Sequence, residues 1–252
     1  MLLRRVLEHV KQQNWFAVTL DFVIVVIGVG VALAAGEWMN ARAAKADLKR
    51  AEITMHSELY SNYLNALERL AVRDCIADQI HQIGERLEAM DEPWVPLDPN
   101  PIGGTMAGTL GTVLRAPYRG WPSIAWTAAS ESGLLIHMEP ERRDALSEIF
   151  FISETLGAHE NSIFQKQAEL KALMIATELS AADRLRYFDS LAEIDAASAL
   201  IEVGAQFIIA GVESLDISLT PEFEQQFQAN LESRNRLGPQ VYGDCFGPMI
   251  RR

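Results

Sequence analysis

The residues able to carry chemistry are dispersed. Histidines stand at 9, 56, 81, 137 and 159, and no two form the HxxxH or HExxH spacing that puts a pair of metal ligands on one helix face. Cys75 and Cys245 are 170 positions apart, so there is no CxxC redox or zinc element. Ser132 lies in "SESGLL", which is not GxSxG, and no strand precedes it to form a nucleophile elbow. "PIGGTMAGTLG" is glycine-rich but lacks the Lys and Ser/Thr that a phosphate loop needs. Acidic residues such as Glu52 and Glu58 suit solvated helix faces. These patterns assign no catalytic residue, no metal site and no cofactor. They predict a non-enzymatic protein.

One acid does stand out. Asp21 lies inside "NWFAVTLDFVIVVIGVGVALAAGEWMN", residues 14–40, an almost wholly apolar run bracketed by Trp15 and Trp38. Phe16 to Gly36 matches the ~20 residues that cross a hydrocarbon core as a helix, and the two tryptophans suit its interfaces. At 100° per residue Asp21, Val25, Gly28, Ala32 and Ala35 share one face. Gly28, Ala32 and Gly36 form a small-xxx-small series of the kind that lets two membrane helices approach closely. The expected role of this face is to pack against another membrane protein or a second copy. An unpaired charge in this zone costs a few kcal/mol, unless it reaches water at the interface, the alternative for Asp21. A second alternative for the segment is a cleaved signal peptide, with Ala32-Leu33-Ala34 as the cleavage site. The run is longer than the usual h-region and contains an acid, both of which favour an uncleaved signal anchor.

Residues 1–13, "MLLRRVLEHVKQQ", are amphipathic and read as a short interfacial helix, with Arg4, Arg5 and Lys11 meeting lipid headgroups. Residues 1–50 hold seven Lys/Arg against four Asp/Glu, a balance of +3. The whole chain carries −12, so the remainder carries −15. An acidic domain repels phosphate backbones, and nucleic acid is not an expected partner. Basic residues flank the span almost equally, with Arg4, Arg5 and Lys11 before it and Arg42, Lys45, Lys49 and Arg50 after it. Orientation therefore rests on the short basic leader and on the even cysteine pair. Both place the N-terminus inside and residues 41–252 in an oxidising compartment. There Cys75 and Cys245 would bridge, the alternative being two free thiols.

The domain beyond the anchor reads as all-α. From Ala41 to Met90 there is no Pro and a single Gly. Leu48, Met55, Leu59, Tyr63, Leu67, Leu70, Ile76, Ile80, Ile83, Leu87 and Met90 recur in helical steps. The membrane helix should continue as a long stalk with a core or coiled-coil seam and join a helical bundle. Residues 91–122, with six Pro and a Gly/Thr cluster, should form an irregular loop. Its Trp94, Tyr118 and Trp121 would either cap the bundle or make a contact surface. Further helices are expected over Ser123–His137, from Pro140 to about Leu179, from the Ser180 cap through Leu215, and from Thr220-Pro221 to a stop at Gly238-Pro239.

"LLRRVLEHVKQQNWFAVTLDFVIVVIGVGVALAAGEWMNAR" resembles the opening of an uncharacterised family of bacterial single-span membrane proteins, with its basic leader, "NWFAV…LDF.IVV.GV" span and following Trp-Asn. "AWTAASESGLL", Trp126 to Leu135, is similar to an element of their outer domains. The resemblance covers the first 45 residues well and the rest loosely. It implies an envelope protein with a helical outer domain, and brings no activity and no ligand residues. Two functions fit. The first is an accessory or scaffold subunit of an envelope complex, assembled through the small-residue face. The second is a periplasmic helical sensor that binds a small-molecule ligand and signals through a partner, because so short an N-terminal leader holds no output domain. A polar-lined cavity between helices is needed by the second and not by the first.

Overall fold

The computed structural model describes residues 15–90, 92–98, 111–215, 217 and 219–251. The interfacial segment 1–13, with Arg4, Arg5 and Lys11, lies outside the described residues, as does most of the Gly/Thr cluster. The described chain is all-α, with no strand among the described residues. Its six α-helices are α1 Trp15–Ala71, α2 Arg73–Glu88, α3 Ile124–Glu131, α4 Pro140–Leu170, α5 Ala181–Ser214 and α6 Pro221–Tyr242. Two compact units divide the chain, Met1–Lys49 and Arg50–Arg252.

In the first unit, the described part of α1 is an apolar helix whose large side chains Phe22, Ile24, Val25, Ile27, Val31 and Leu33 are all exposed. None of its most apolar window is buried. A row of exposed aliphatic groups this long is stable only when something other than water covers it. By length and composition two helices could cross a membrane, this one and Ala181–Ser214. The second is a bundle helix by its contacts: Leu191, Ile194, Ile201, Ala205 and Ile208 are buried inside the outer unit.

In the second unit, α4 and α5 run antiparallel. Lys166 and Glu169 near the end of α4 meet Glu193 and Ser190 near the start of α5, whereas Ile149 faces Gly211. The two helices are close because of glycine. A Cβ on Gly204 would stand 2.5 Å from Leu156 Cδ2. Met55, Leu59 and Tyr63 of α1 and Ile76, Ile80, Ile83 and Leu87 of α2 complete the core. Each fully buried side chain of this size stabilises the fold by about 1.5–3 kcal/mol.

Local chemistry sets the helix starts. Glu139 accepts from the N–H groups of Glu141 and Arg142, with Pro140 in the first turn of α4. Ser180 accepts from the N–H of Asp183, and Thr220 from that of Phe223. Four boundaries differ from expectation. The stalk stripe is not one helix, since α1 ends at Ala71 and α2 begins at Arg73. The Ala71 carbonyl accepts there from the N–H of Gly247 in the C-terminal segment. The 123–137 helix divides into α3 and a 3-10 turn, Leu134–His137. α4 gives way to a 3-10 turn at Lys171–Met174, before Leu179, where the Leu173 carbonyl accepts from Leu97 N and Trp94 Nε1. Gly238-Pro239 does not end α6, which continues to Tyr242 and stops at Gly243, where φ is +91°. Gly238 instead receives the ring of Phe246, whose Cζ would stand 2.3 Å from a Cβ placed there.

Cys75 and Cys245 are joined, with S–S 2.00 Å and Cα–Cα 5.3 Å. The link ties the C-terminal segment to the start of α2. Closing a loop of sequence separation 170 contributes roughly 5 kcal/mol in the chain-entropy description. Asn235 fixes the same segment twice, donating to the Met249 carbonyl and accepting from Met249 N.

Candidate functional site

The candidate site grows from four polar side chains on the inner face of α1. Asn62, Asn65, Glu68 and Arg69 are buried at helical spacing where an ordinary core would be aliphatic. Three of them hold the loop before α3. Asn62 Nδ2 donates to the Pro122 carbonyl at 3.0 Å, and Asn65 Nδ2 to the Gly120 carbonyl at 2.8 Å. Glu68 accepts from Arg119 Nε at 2.8 Å and Nη2 at 2.9 Å. Arg234 of α6 donates Nη1 to Glu68 Oε2 at 2.8 Å and to Asn65 Oδ1 at 2.9 Å. Tyr242 Oη points to Glu68 Oε1 at 3.5 Å. Glu68 therefore joins α1, the loop and α6, and its two oxygens are fully engaged.

Next to this hub lies a cavity of about 420 Å³, within the range that holds small-molecule ligands. α1, α4, α5, α6 and residues 112–119 wall it. One part is polar, with Glu68, Arg69, Arg119, Arg234 and Glu160. The rest is apolar, including Leu114, Ile163, Phe164, Ile201, Leu237 and Val241. Tyr118 and Leu237 line it and are 41% and 46% exposed, so it reaches solvent on that side.

The three arginines differ in their attachments. Bonding to Glu68 holds the Arg119 guanidinium above its usual pKa. Burial lowers that of Arg234 despite Glu68. Arg69 is 2% exposed, and its Nε and Nη2 have no hydrogen-bond partner. Burial pulls its pKa down, and the charges of Glu202 and Glu160 oppose that pull. On the facing helix, Glu160, Ile163 and Gln167 share a side of α4. Gln167 Oε1 is likewise buried and unpartnered. Burial pushes the Glu160 carboxyl up to about 7, against the N–H of Arg119 and the charges of Arg69 and Arg119.

The singled-out sequence positions are spread over several settings. Asp21, Val25, Gly28, Ala32 and Ala35 are exposed on α1 and Gly36 is half-buried. Space around Gly28 and Gly36 is open, with no atom within 4 Å of an added Cβ. Trp38 is exposed, with the Arg42 guanidinium 5.6 Å from its ring centroid. Of the loop aromatics, Trp94 and Trp121 are buried and Tyr118 is exposed. Trp94 donates Nε1 to the Leu173 carbonyl at 3.1 Å, and Tyr118 donates to Asn161 at 2.8 Å. Trp94 and Trp121 therefore form no accessible contact surface. Ser132 donates to the Ala128 carbonyl at 2.8 Å as part of a helix end. His56 meets Arg142 at 2.9 Å, and burial first, then that cation, lowers its pKa. Among the described residues no group of three His, Cys, Asp or Glu could hold a metal ion.

Glu68, Arg69, Arg119, Glu160 and Arg234 were not singled out from sequence. The available signal was the run of polar residues at 62, 65, 68 and 69 inside an otherwise apolar stripe. No protein-family model, curated protein or solved structure matches the chain.

A raised carboxyl pKa in the folded state gives stability that is full below the unfolded value near 4.5 and is lost as pH rises through about 7. Arg69 and Arg119, the cations facing Glu160, stay charged across that window. Chemical denaturation of the wild type and of Glu160→Gln at pH 5 and pH 8 is the check. The wild type should lose up to about 3 kcal/mol more than the variant over this interval. Parallel losses would mean that Glu160 is not held neutral by burial.

Proposed function

We propose that this chain is a non-enzymatic, membrane-anchored binding subunit. Its apolar helix holds it in a bilayer, its outer helical domain takes a small ligand, and a partner protein carries the response. The observation behind this reading is the cavity, in which an apolar wall adjoins a buried arginine that has no acceptor. An apolar chamber with a few convergent polar groups is the usual form of a ligand site. A buried, unsatisfied cation is costly in a protein that only has to be rigid. The placement we infer is the periplasmic side of a bacterial inner membrane, with the N-terminus in the cytoplasm. The Cys75–Cys245 bridge supports it, because such bonds persist in oxidising compartments.

A second reading has its own support. The Asp21 face carries the small residues Gly28, Ala32 and Gly36, whose spacing suits close packing of another membrane helix or a second copy. In this reading the chain is an accessory or scaffold subunit, and membrane lipids cover the remaining faces. Both readings apply if the partner that docks on the anchor also receives the binding signal.

The binding reading is tested with the full chain in phosphatidylcholine nanodiscs, by calorimetry with octanoate, octanol and octylamine. At least one should bind saturably, and Val241→Phe, which narrows the apolar wall, should weaken it about tenfold or more. Failure of all three to bind the folded protein would sink the reading. For the anchor, Asp21→Leu combined with Gly28→Leu should remove co-purifying protein or shift the oligomer in mild detergent. An unchanged assembly would count against packing through this face.

A further inference from the structure

We propose that the cavity is a site for a monocarboxylate with an apolar body, whose carboxylate is taken by Arg69; this rests on the binding reading above. The charges around the cavity select the ligand. Arg119 commits Nε and Nη2 to Glu68, and Arg234 commits Nη1 to Glu68 and Asn65. Both keep other N–H groups, but Glu68 already offsets their charge, so an incoming anion gains less from them than from Arg69. Arg69 has no such bond to lose. Its unpartnered nitrogens, Nε and Nη2, form one side-on edge of a guanidinium, which matches the two oxygens of a carboxylate; the edge is itself buried, so the ligand has to displace part of the cavity lining to reach it.

Size and charge narrow the class further. Glu160 and Glu202 already share the field of Arg69, so a dianion such as a phosphate monoester brings more negative charge than one guanidinium balances. A cation would meet Arg69, whose charge no hydrogen-bonded acceptor offsets. Leu114, Ile163, Phe164, Ile201, Leu237 and Val241 offer the ligand body an apolar wall. Gln167 Oε1 adds an unused acceptor for a hydroxyl or N–H on that body. The carboxylate can belong to a free soluble acid or to a fatty acid from the bilayer, and the same chemistry serves both.

The test compares ligands of equal length on the full chain in phosphatidylcholine nanodiscs, with empty nanodiscs subtracted. In calorimetry, octanoate should bind at least tenfold more tightly than octanol, and more tightly than octyl phosphate, as a charge-assisted bidentate bond requires. Arg69→Gln should weaken octanoate by about tenfold or more and leave octanol within about twofold. Arg69→Lys, which keeps the charge but loses the planar edge, should fall between. Circular dichroism checks each variant, and the wild-type ratio of octanoate to octanol decides independently if Arg69→Gln does not fold. Palmitate loaded into the nanodisc and read by native mass spectrometry separates a membrane source from a soluble one, and retention of either acid supports the site. Equal binding of octanoate and octanol overturns the carboxylate assignment while leaving the binding reading in place. So does preference for octyl phosphate, or unchanged octanoate binding in Arg69→Gln. Absence of binding by every probe removes both.

Discussion

The outer domain depends on one buried carboxylate. Glu68 is 3% exposed and sits on the inner face of α1, where its charge would be prohibitive without partners. It finds them in Arg119 from the loop and Arg234 from α6. These three groups lie far apart in sequence, at 51 and 166 positions from Glu68. The same hydrogen bonds that satisfy the charge therefore fix where the loop and the last helix must lie. Asn62 and Asn65 continue the pattern along α1, each holding a backbone carbonyl of the loop. A segment rich in Pro and Gly cannot make its own ladder of backbone bonds, and these side chains provide part of the replacement.

This arrangement has a consequence for the next residue. Glu68 is saturated by the two distant arginines, so its sequence neighbour Arg69 has to look elsewhere. The acids in its field, Glu160 and Glu202, attract it without a hydrogen bond. Burial works against all of them, raising both carboxyl pKa values and lowering that of the guanidinium. The cluster is thus poorly compensated within the protein, and it faces a chamber with room for a ligand. Structural ion pairs are usually completed by the chain itself. The incomplete one, Arg69, is among the residues lining the cavity, which links the energetics of the core to the proposed binding.

Much of the architecture was legible in the sequence because it rests on local rules. The apolar run of α1, the starts at Pro140, Ser180 and Thr220, and the helical stripe through Leu59, Ile76 and Ile83 need only neighbouring residues to be read. The misread boundaries depend on distant partners. Ala71 ends a helix where Gly247 reaches its carbonyl, and α6 runs through Pro239 while Gly238 accommodates Phe246. Trp94, a candidate for a contact surface, is buried and bonded to Leu173 of a segment 79 residues away. The cavity was not legible at all. Its arginines come from α1, the loop and α6, and no spacing rule connects positions 69, 119 and 234. The polar positions interrupting the stripe were the one local trace.

Double-mutant cycles on the stability of the outer domain, pairing Glu68 in turn with Arg234 and with Arg69, measure the division of charge most directly. Coupling of about 1–3 kcal/mol is expected between Glu68 and Arg234, and less than about 0.5 kcal/mol between Glu68 and Arg69, although the latter are adjacent in sequence. Equal coupling to both would mean that Glu68 already neutralises Arg69, leaving no arginine free to receive a ligand.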